Sequence, residues 1–264
     1  MNQPKPFYIG WMPTAEAFRS FIRPVLLLLA ALVIGMALFL ISRQQSFSSG
    51  VFERTRFTEL EGLLVAHPFP ALKTFYGKDA EGNPIIKTIP LVNKGKFGAD
   101  SLVAQMIANH AGEKEIWVTV KGKLIYNKSA VLLELTEQEA SMHSGSSPKQ
   151  KMIAEPVVTS LGSTTLRGQI VDPKCYLGVM KPGEGKPHTD CAIRCISGGI
   201  PPVLKIENEK GEVTLFMLRG ENGESINRDV LTFIGVPVSV TGEVKRFDDW
   251  LIMETDPGRG IQIL

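Results

Sequence analysis

Val118-Thr119-Val120-Lys121-Gly122-Lys123-Leu124 and Val238-Ser239-Val240-Thr241-Gly242-Glu243-Val244 are two versions of one pattern, an alternating strand with a glycine inside it. Side chains alternate across a strand, so the valines share a face, and the interior glycine lets the strand bend or approach a neighbouring backbone closely. Upstream, Glu61-Gly62-Leu63-Leu64-Val65-Ala66-His67-Pro68 aligns in the same way with Arg167-Gly168-Gln169-Ile170-Val171-Asp172-Pro173-Lys174. Between them, Lys94-Gly95-Lys96-Phe97-Gly98 aligns with Arg219-Gly220-Glu221-Asn222-Gly223. Three landmarks recurring in one order mark an internal duplication.

A bent strand, a hairpin, a short helix, a V-x-V-x-G-x-V strand and a closing strand describe a five-stranded Greek-key barrel of the oligonucleotide/oligosaccharide-binding (OB) type. The chain of 264 residues is therefore expected to be mainly β, with tandem OB-like barrels at residues 57–140 and 161–264. A single β-sandwich of the same length is the alternative. Strands are expected at residues 60–65, 85–92, 116–126 and 130–136. A helix is expected over 101–110, capped by Asp100, with Leu102, Val103, Met106 and Ile107 on one side. Residues 43–56 and 141–160, rich in Ser, Gln, Gly and Lys, read as linkers.

The excess of apolar residues lies in PVLLLLAALVIGMALFLI, residues 24–41, which carries no charge. At 1.5 Å rise per residue it is long enough to cross a hydrocarbon layer of about 30 Å. Residues 24–42 thus read as a single transmembrane helix with the lipid bilayer as its partner, and residues 1–23 as a flank with Tyr8, Trp11 and Phe18 near the boundary. Pro24 is placed in the first turn, and a cleaved signal peptide is the other reading of the run. Lys5, Arg19 and Arg23 before it are balanced by Arg43, Arg54 and Arg56 after it; an amino terminus inside with the bulk of the chain outside is favoured because a first apolar segment commonly acts as a signal anchor. A formal net charge of +2 speaks against nucleic acid as a partner.

All three cysteines, Cys175, Cys191 and Cys195, fall in one segment of the second copy, where the first copy has no thiol. Cys191 and Cys195 stand four apart, so a helical turn over 189–197 puts both sulfurs on one side, with His188 near Cys191. Thr189 or Asp190 is expected to cap that turn, and Gly198-Gly199 to end it. Cys175, His188, Cys191 and Cys195 have the composition of a thiolate–imidazole site for zinc or copper. A disulfide from Cys175 to Cys191 or Cys195, with one thiol left over, and a redox-active or cofactor-linked cysteine are the competing readings. Met180 is a further residue able to ligate non-covalently. The Cys-x-x-Cys-His pattern of covalently attached haem does not occur, nor do a G-x-S-x-G elbow, H-E-x-x-H or a GK[ST] phosphate loop. Asp248-Asp249 reads as a solvated hairpin turn, and no catalytic residue is assigned.

Gly168-x-Ile170-x-Asp172-x-x-Cys175, His188-x-x-Cys191-Ala192-x-x-Cys195-x-x-x-Gly199 and Val240-Thr241-Gly242 together resemble small exported bacterial OB-like domains, over about residues 166–255. That resemblance implies export, an OB-like barrel and a shared role for the cysteines, and no particular activity. With the anchor it places the chain as a single-pass protein of the bacterial inner membrane with its bulk in the periplasm. The expected function is a non-enzymatic accessory or scaffold subunit, docked to other subunits of a membrane-bound respiratory or redox assembly. A metal-binding or electron-transfer protein using the Cys/His set, and an envelope sensor of oligosaccharide or peptide, are the alternatives.

Overall fold

A computed structural model describes residues 16–43, 49–145 and 153–264, in two compact units divided after Ser46. The first unit holds α1 (Glu16–Arg43), whose stretch from Phe18 to Arg43 is long and apolar enough to span a membrane. The helix is already formed at Glu16, so Pro24 lies inside it rather than in its first turn. An interior proline removes one backbone hydrogen bond, a loss that lipid-embedded helices tolerate. Tyr8 and Trp11 lie outside the described residues.

The second unit contains two closed five-stranded barrels in tandem. The first runs through β1 (Val51–Phe52), β2 (Thr58–Val65), β3 (Ala71–Lys78), β4 (Pro84–Asn93), α2 (Asp100–Asn109), β5 (Trp117–Asn127), β6 (Ala130–Leu135) and β7 (Met142–Ser144). The second runs through β8 (Val158–Val171), α3 (Thr189–Ser197), β9 (Val203–Glu207), β10 (Val213–Arg219), β11 (Pro237–Phe247), β12 (Trp250–Glu254), α4 (Pro257–Gly260) and β13 (Ile261–Ile263). In the first barrel β2 pairs with β3, β3 with β4, β4 in parallel with β6, β6 with β5 and β5 with β2. In the second, β8, β9, β10, β12 and β11 close in the same order, with β10 and β12 as the parallel pair. Closure removes sheet edges that would otherwise pair with other chains.

The repeated glycines occupy equivalent places. A side chain at Gly62 would meet the Lys73 carbonyl and one at Gly168 the Lys205 carbonyl; Gly122 and Gly242 stand likewise against the Glu134 and Glu254 carbonyls. In each copy the chain gives up a Cβ so that a strand can press onto its neighbour's backbone. Leu72, Ile89, Val118, Val120 and Leu133 fill the first core against Val103 of α2; Ile170, Leu204, Leu218, Val238 and Met253 fill the second against Ala192 and Ile196 of α3.

A third apolar cluster joins the barrels, bringing Val65, Phe69, Ile125 and Leu132 onto Val171, Leu177, Met217, Phe247 and Trp250. The Phe69 ring meets Phe247 and Trp250 edge to face, with centroids 5.5 and 6.1 Å apart. Of Asp248 and Asp249, both expected to be solvated, Asp249 is exposed but Asp248 is drawn into this junction. Asp248 accepts hydrogen bonds from Lys73 Nζ (3.0 Å), Thr88 Oγ1 (2.7 Å) and Val157 N (3.0 Å), Asp249 accepts from Thr88 N (3.1 Å), and Trp250 Nε1 donates to the Thr88 carbonyl (2.8 Å). The hairpin turn of one barrel is thus the polar lock on the other.

Other expectations shift. Asp100 is the first residue of α2 rather than its cap, because the helix already starts beyond Ala99, which supplies no side-chain hydrogen bond. The stretch 43–56 includes β1, which pairs with Ile125 and Tyr126, and strand structure continues to Ser144 and resumes at Val158, with residues 146–152 outside the described set. Strand β3, absent from the expected strands, pairs along β2 and β4.

Trp250→Ala removes the aromatic centre of the junction and one donor; unfolding free energy of the detergent-solubilised chain, followed by circular dichroism in urea, should fall by about 3–5 kcal/mol. A loss below about 1 kcal/mol would show that the junction carries little of the stability.

Candidate metal centre

The site begins where β8 ends. Asp172-Pro173-Lys174-Cys175 turns sharply: Lys174 N donates to Asp172 Oδ1 (2.9 Å), Tyr176 N to the Asp172 carbonyl (3.0 Å) and Met180 N to the Cys175 carbonyl (3.2 Å). The last of these closes a π-type turn over Cys175–Val179, a wide turn often found where a functional side chain must be aimed. Gly178 lies against the Val51 backbone and Gly183 against the Cys175 carbonyl, where a Cβ would collide, so the loop folds back over its own start.

A short 3₁₀ turn, Lys186–His188, leads into α3. The helix spans the expected residues 189–197, but neither Thr189 nor Asp190 caps it; the chain enters already coiled from the preceding turn, leaving Thr189 within the helix. Gly199 ends it at φ 106°, the left-handed conformation that glycine adopts most readily, and Asn227 Nδ2 donates to the Ile196 and Ile200 carbonyls (2.7 and 2.9 Å).

Cys175 Sγ, a ring nitrogen of His188 and Cys191 Sγ lie within 4.8 Å of one another. Asp172, Cys175 and Cys195 form a second group within the same limit. All four expected residues are therefore at one place, yet in two overlapping sets, with Cys195 grouped with Asp172 rather than with His188 and Cys191. All three thiols are free and none stands at disulfide distance from another, so the expected bond from Cys175 to Cys191 or Cys195 is not formed here. The two helical cysteines instead each approach Cys175, in separate groups, where the turn after β8 has brought it up beside α3. Met180 has 43 % of its surface exposed.

Burial defines the electrostatics. Asp172, Cys175, His188 and Cys195 are buried, whereas Cys191 is partly exposed. Neither His188 Nε2 nor Asp172 Oδ2 has a hydrogen-bond partner, and both are sealed from solvent. A buried polar atom left without a partner costs about 1–3 kcal/mol, more for a charged group. A hydrogen bond to Cys195, burial, and both the charge of Asp172 and a hydrogen bond to it push the Cys175 thiol up. Burial outweighs Asp172 at His188 and pulls the imidazole down, towards the neutral form that ligates metals.

The first barrel completes the site. Its β4–α2 loop lies across α3, with Gly98 N donating to the Gly198 carbonyl (3.1 Å), and from it Lys96 Nζ donates to Cys191 Sγ (3.3 Å). Burial lowers the Lys96 ammonium's pKa, but the hydrogen bond and charge of Cys191 outweigh it and leave it raised. The loop is held from the other side by Lys174, whose buried ammonium donates to the Asn93 and Gly95 carbonyls (2.8 and 2.7 Å) and pairs with Glu134 Oε2 (3.3 Å). Asp172, Lys174 and Lys96 are residues of the candidate site to which the sequence alone assigns no role. Asp172 could have been found, since it stands three residues before Cys175 in the motif; nothing local to Lys96 points across a barrel junction.

Lys174→Ala leaves the Glu134 carboxylate buried without its partner and should destabilise the chain by about 3–5 kcal/mol in urea unfolding. Pairing it with Glu134→Gln should restore part of that loss; a double variant no more stable than Lys174→Ala would show that the ion pair is not the cause.

No protein-family model matches the chain and no curated protein does, so the chemistry of the site is read from its own geometry.

Proposed function

We propose that this chain is a membrane-anchored protein that binds a soft metal, zinc or copper(I), through the Cys175, His188 and Cys191 group and the adjoining Asp172 and Cys195. The observation that carries the reading is the meeting of three thiols with two buried residues, His188 and Asp172, that each keep an atom without a partner, Nε2 and Oδ2. Thiolate and imidazole donors suit zinc and copper(I), and a Cys₂His set leaves a coordination position for a further ligand. Bound metal would give the orphaned atoms partners and replace the proton that Cys175 holds in its buried surroundings.

Lys96 supports the same reading, because a cation beside Cys191 offsets the negative charge that thiolate ligation concentrates in a buried place. Cys191 is the ligand nearest solvent and so the edge at which metal or electrons would enter and leave. The apolar helix supports placement at a membrane, with the barrels on the extracytoplasmic side as a metal-bearing subunit of a membrane-bound redox assembly. In an oxidising compartment three neighbouring thiols readily pair, and ligation to an ion would keep them apart.

Protein purified without a histidine tag, in detergent and under reducing conditions, should carry at least one equivalent of zinc or copper by elemental analysis, and Cys175→Ser should carry none. A metal-free wild type that takes up neither ion on titration sinks the reading. For sidedness, alkaline phosphatase fused after Leu264 should be active in intact bacteria; an active cytoplasmic reporter at the same position, with a silent phosphatase, would reverse the orientation.

A further inference from the structure

We propose that the cluster takes two metal ions rather than one, bridged by the Cys175 thiolate, the first completed by His188 and Cys191 and the second by Asp172 and Cys195. The inference rests on the metal-binding reading above and deepens it. Its basis is the division of the ligand atoms into two groups that have only Cys175 Sγ in common.

An ion about 2.3 Å from each sulfur holds its ligand atoms roughly 3.5–4 Å apart. Each group, already within 4.8 Å, reaches that spacing by a contraction of at most about 1 Å. A single tetrahedral ion on Cys175, His188, Cys191 and Cys195 would have to draw Cys195 out of the group it forms with Asp172. Cys195 is buried and packed against Val92 and Ile200, and Ile196 beside it is part of the second barrel's core, so that displacement would disturb the packing. Neighbours at i and i+4 on a helix have Cβ atoms about 5–6 Å apart, which lets Cys191 and Cys195 serve separate ions on either side of a shared sulfur.

Each group also contains a residue that keeps a partnerless buried atom, His188 with its Nε2 in one and Asp172 with its Oδ2 in the other. One ion satisfies one of them. Asp172 has no exposed surface, its Oδ1 accepts from Lys174 N, the Cys175 thiol lies beside it, and the Lys174 ammonium is turned away to Asn93, Gly95 and Glu134. A carboxylate buried in this way calls for a cation, and the atoms beside it are sulfurs. The donors select soft monovalent copper or divalent zinc; calcium and magnesium prefer oxygen-only shells.

The test loads the full-length, reduced, detergent-solubilised protein with excess zinc and, separately, with copper(I), removes unbound ion and measures metal per chain. Two equivalents of at least one ion are expected. Asp172→Asn combined with Cys195→Ser should retain one equivalent, His188→Ala combined with Cys191→Ser should retain the other, and Cys175→Ser should lose both. One equivalent of each ion in the wild type overturns the two-ion inference and leaves the metal-binding reading standing; none overturns both. X-ray absorption on the loaded wild type needs no variant to fold, and should show metal–metal scattering within about 4 Å. Two bound ions without that signal would overturn the shared thiolate.

Discussion

The Lys174 ammonium is buried where the two barrels meet, and the candidate centre depends on its being satisfied there. A charge out of water is costly unless it is paired and fully hydrogen-bonded. Lys174 meets that demand only with atoms of the first barrel, namely the Asn93 and Gly95 carbonyls and the Glu134 carboxylate. It sits one residue before Cys175 and two after Asp172, so the interaction that binds the barrels also sets the turn from which two ligands project. The loop it holds carries Lys96 to Cys191. Stability and site geometry share one cause.

The duplication was legible because its reason is local. Gly62, Gly122, Gly168 and Gly242 each lie against a neighbouring strand's carbonyl, a place where any Cβ would collide, and such a requirement leaves a mark at a fixed offset in an alternating strand. The same holds for α3, whose length and glycine stop follow from nine residues of chain. What escaped was non-local. Strand β1 is two residues long and owes its existence to pairing with β5, and Asp248-Asp249 looks like any polar turn until Lys73 and Thr88 of the other barrel are brought against it. The cysteines were found as a set by composition; their division around Cys175 depends on how far the turn after β8 advances it alongside α3, which no spacing rule specifies.

The chemistry follows from a contrast between two kinds of burial. At the junction every buried charge described above has a partner: Lys73 with Asp248, Lys174 with Glu134. A few residues away His188 and Asp172 are equally shielded and keep atoms without one. Three sulfurs surround those atoms, and the one nearest solvent has an ammonium beside it. Such an arrangement is poor at stabilising a fold and well suited to taking up a cation whose binding energy restores what was given up.

The glycine contact between Gly98 and the Gly198–Gly199 corner has a consequence for how the two copies can diverge. The cysteine-free barrel presses its backbone onto the end of the cysteine helix so closely that a methyl group at Gly198 would strike the Lys96 carbonyl. Drift in either partner is therefore felt by the other. A duplication ordinarily leaves one copy free to decay; here the copy without cysteines walls its sibling's thiols, so a change that loosens either is costly to both.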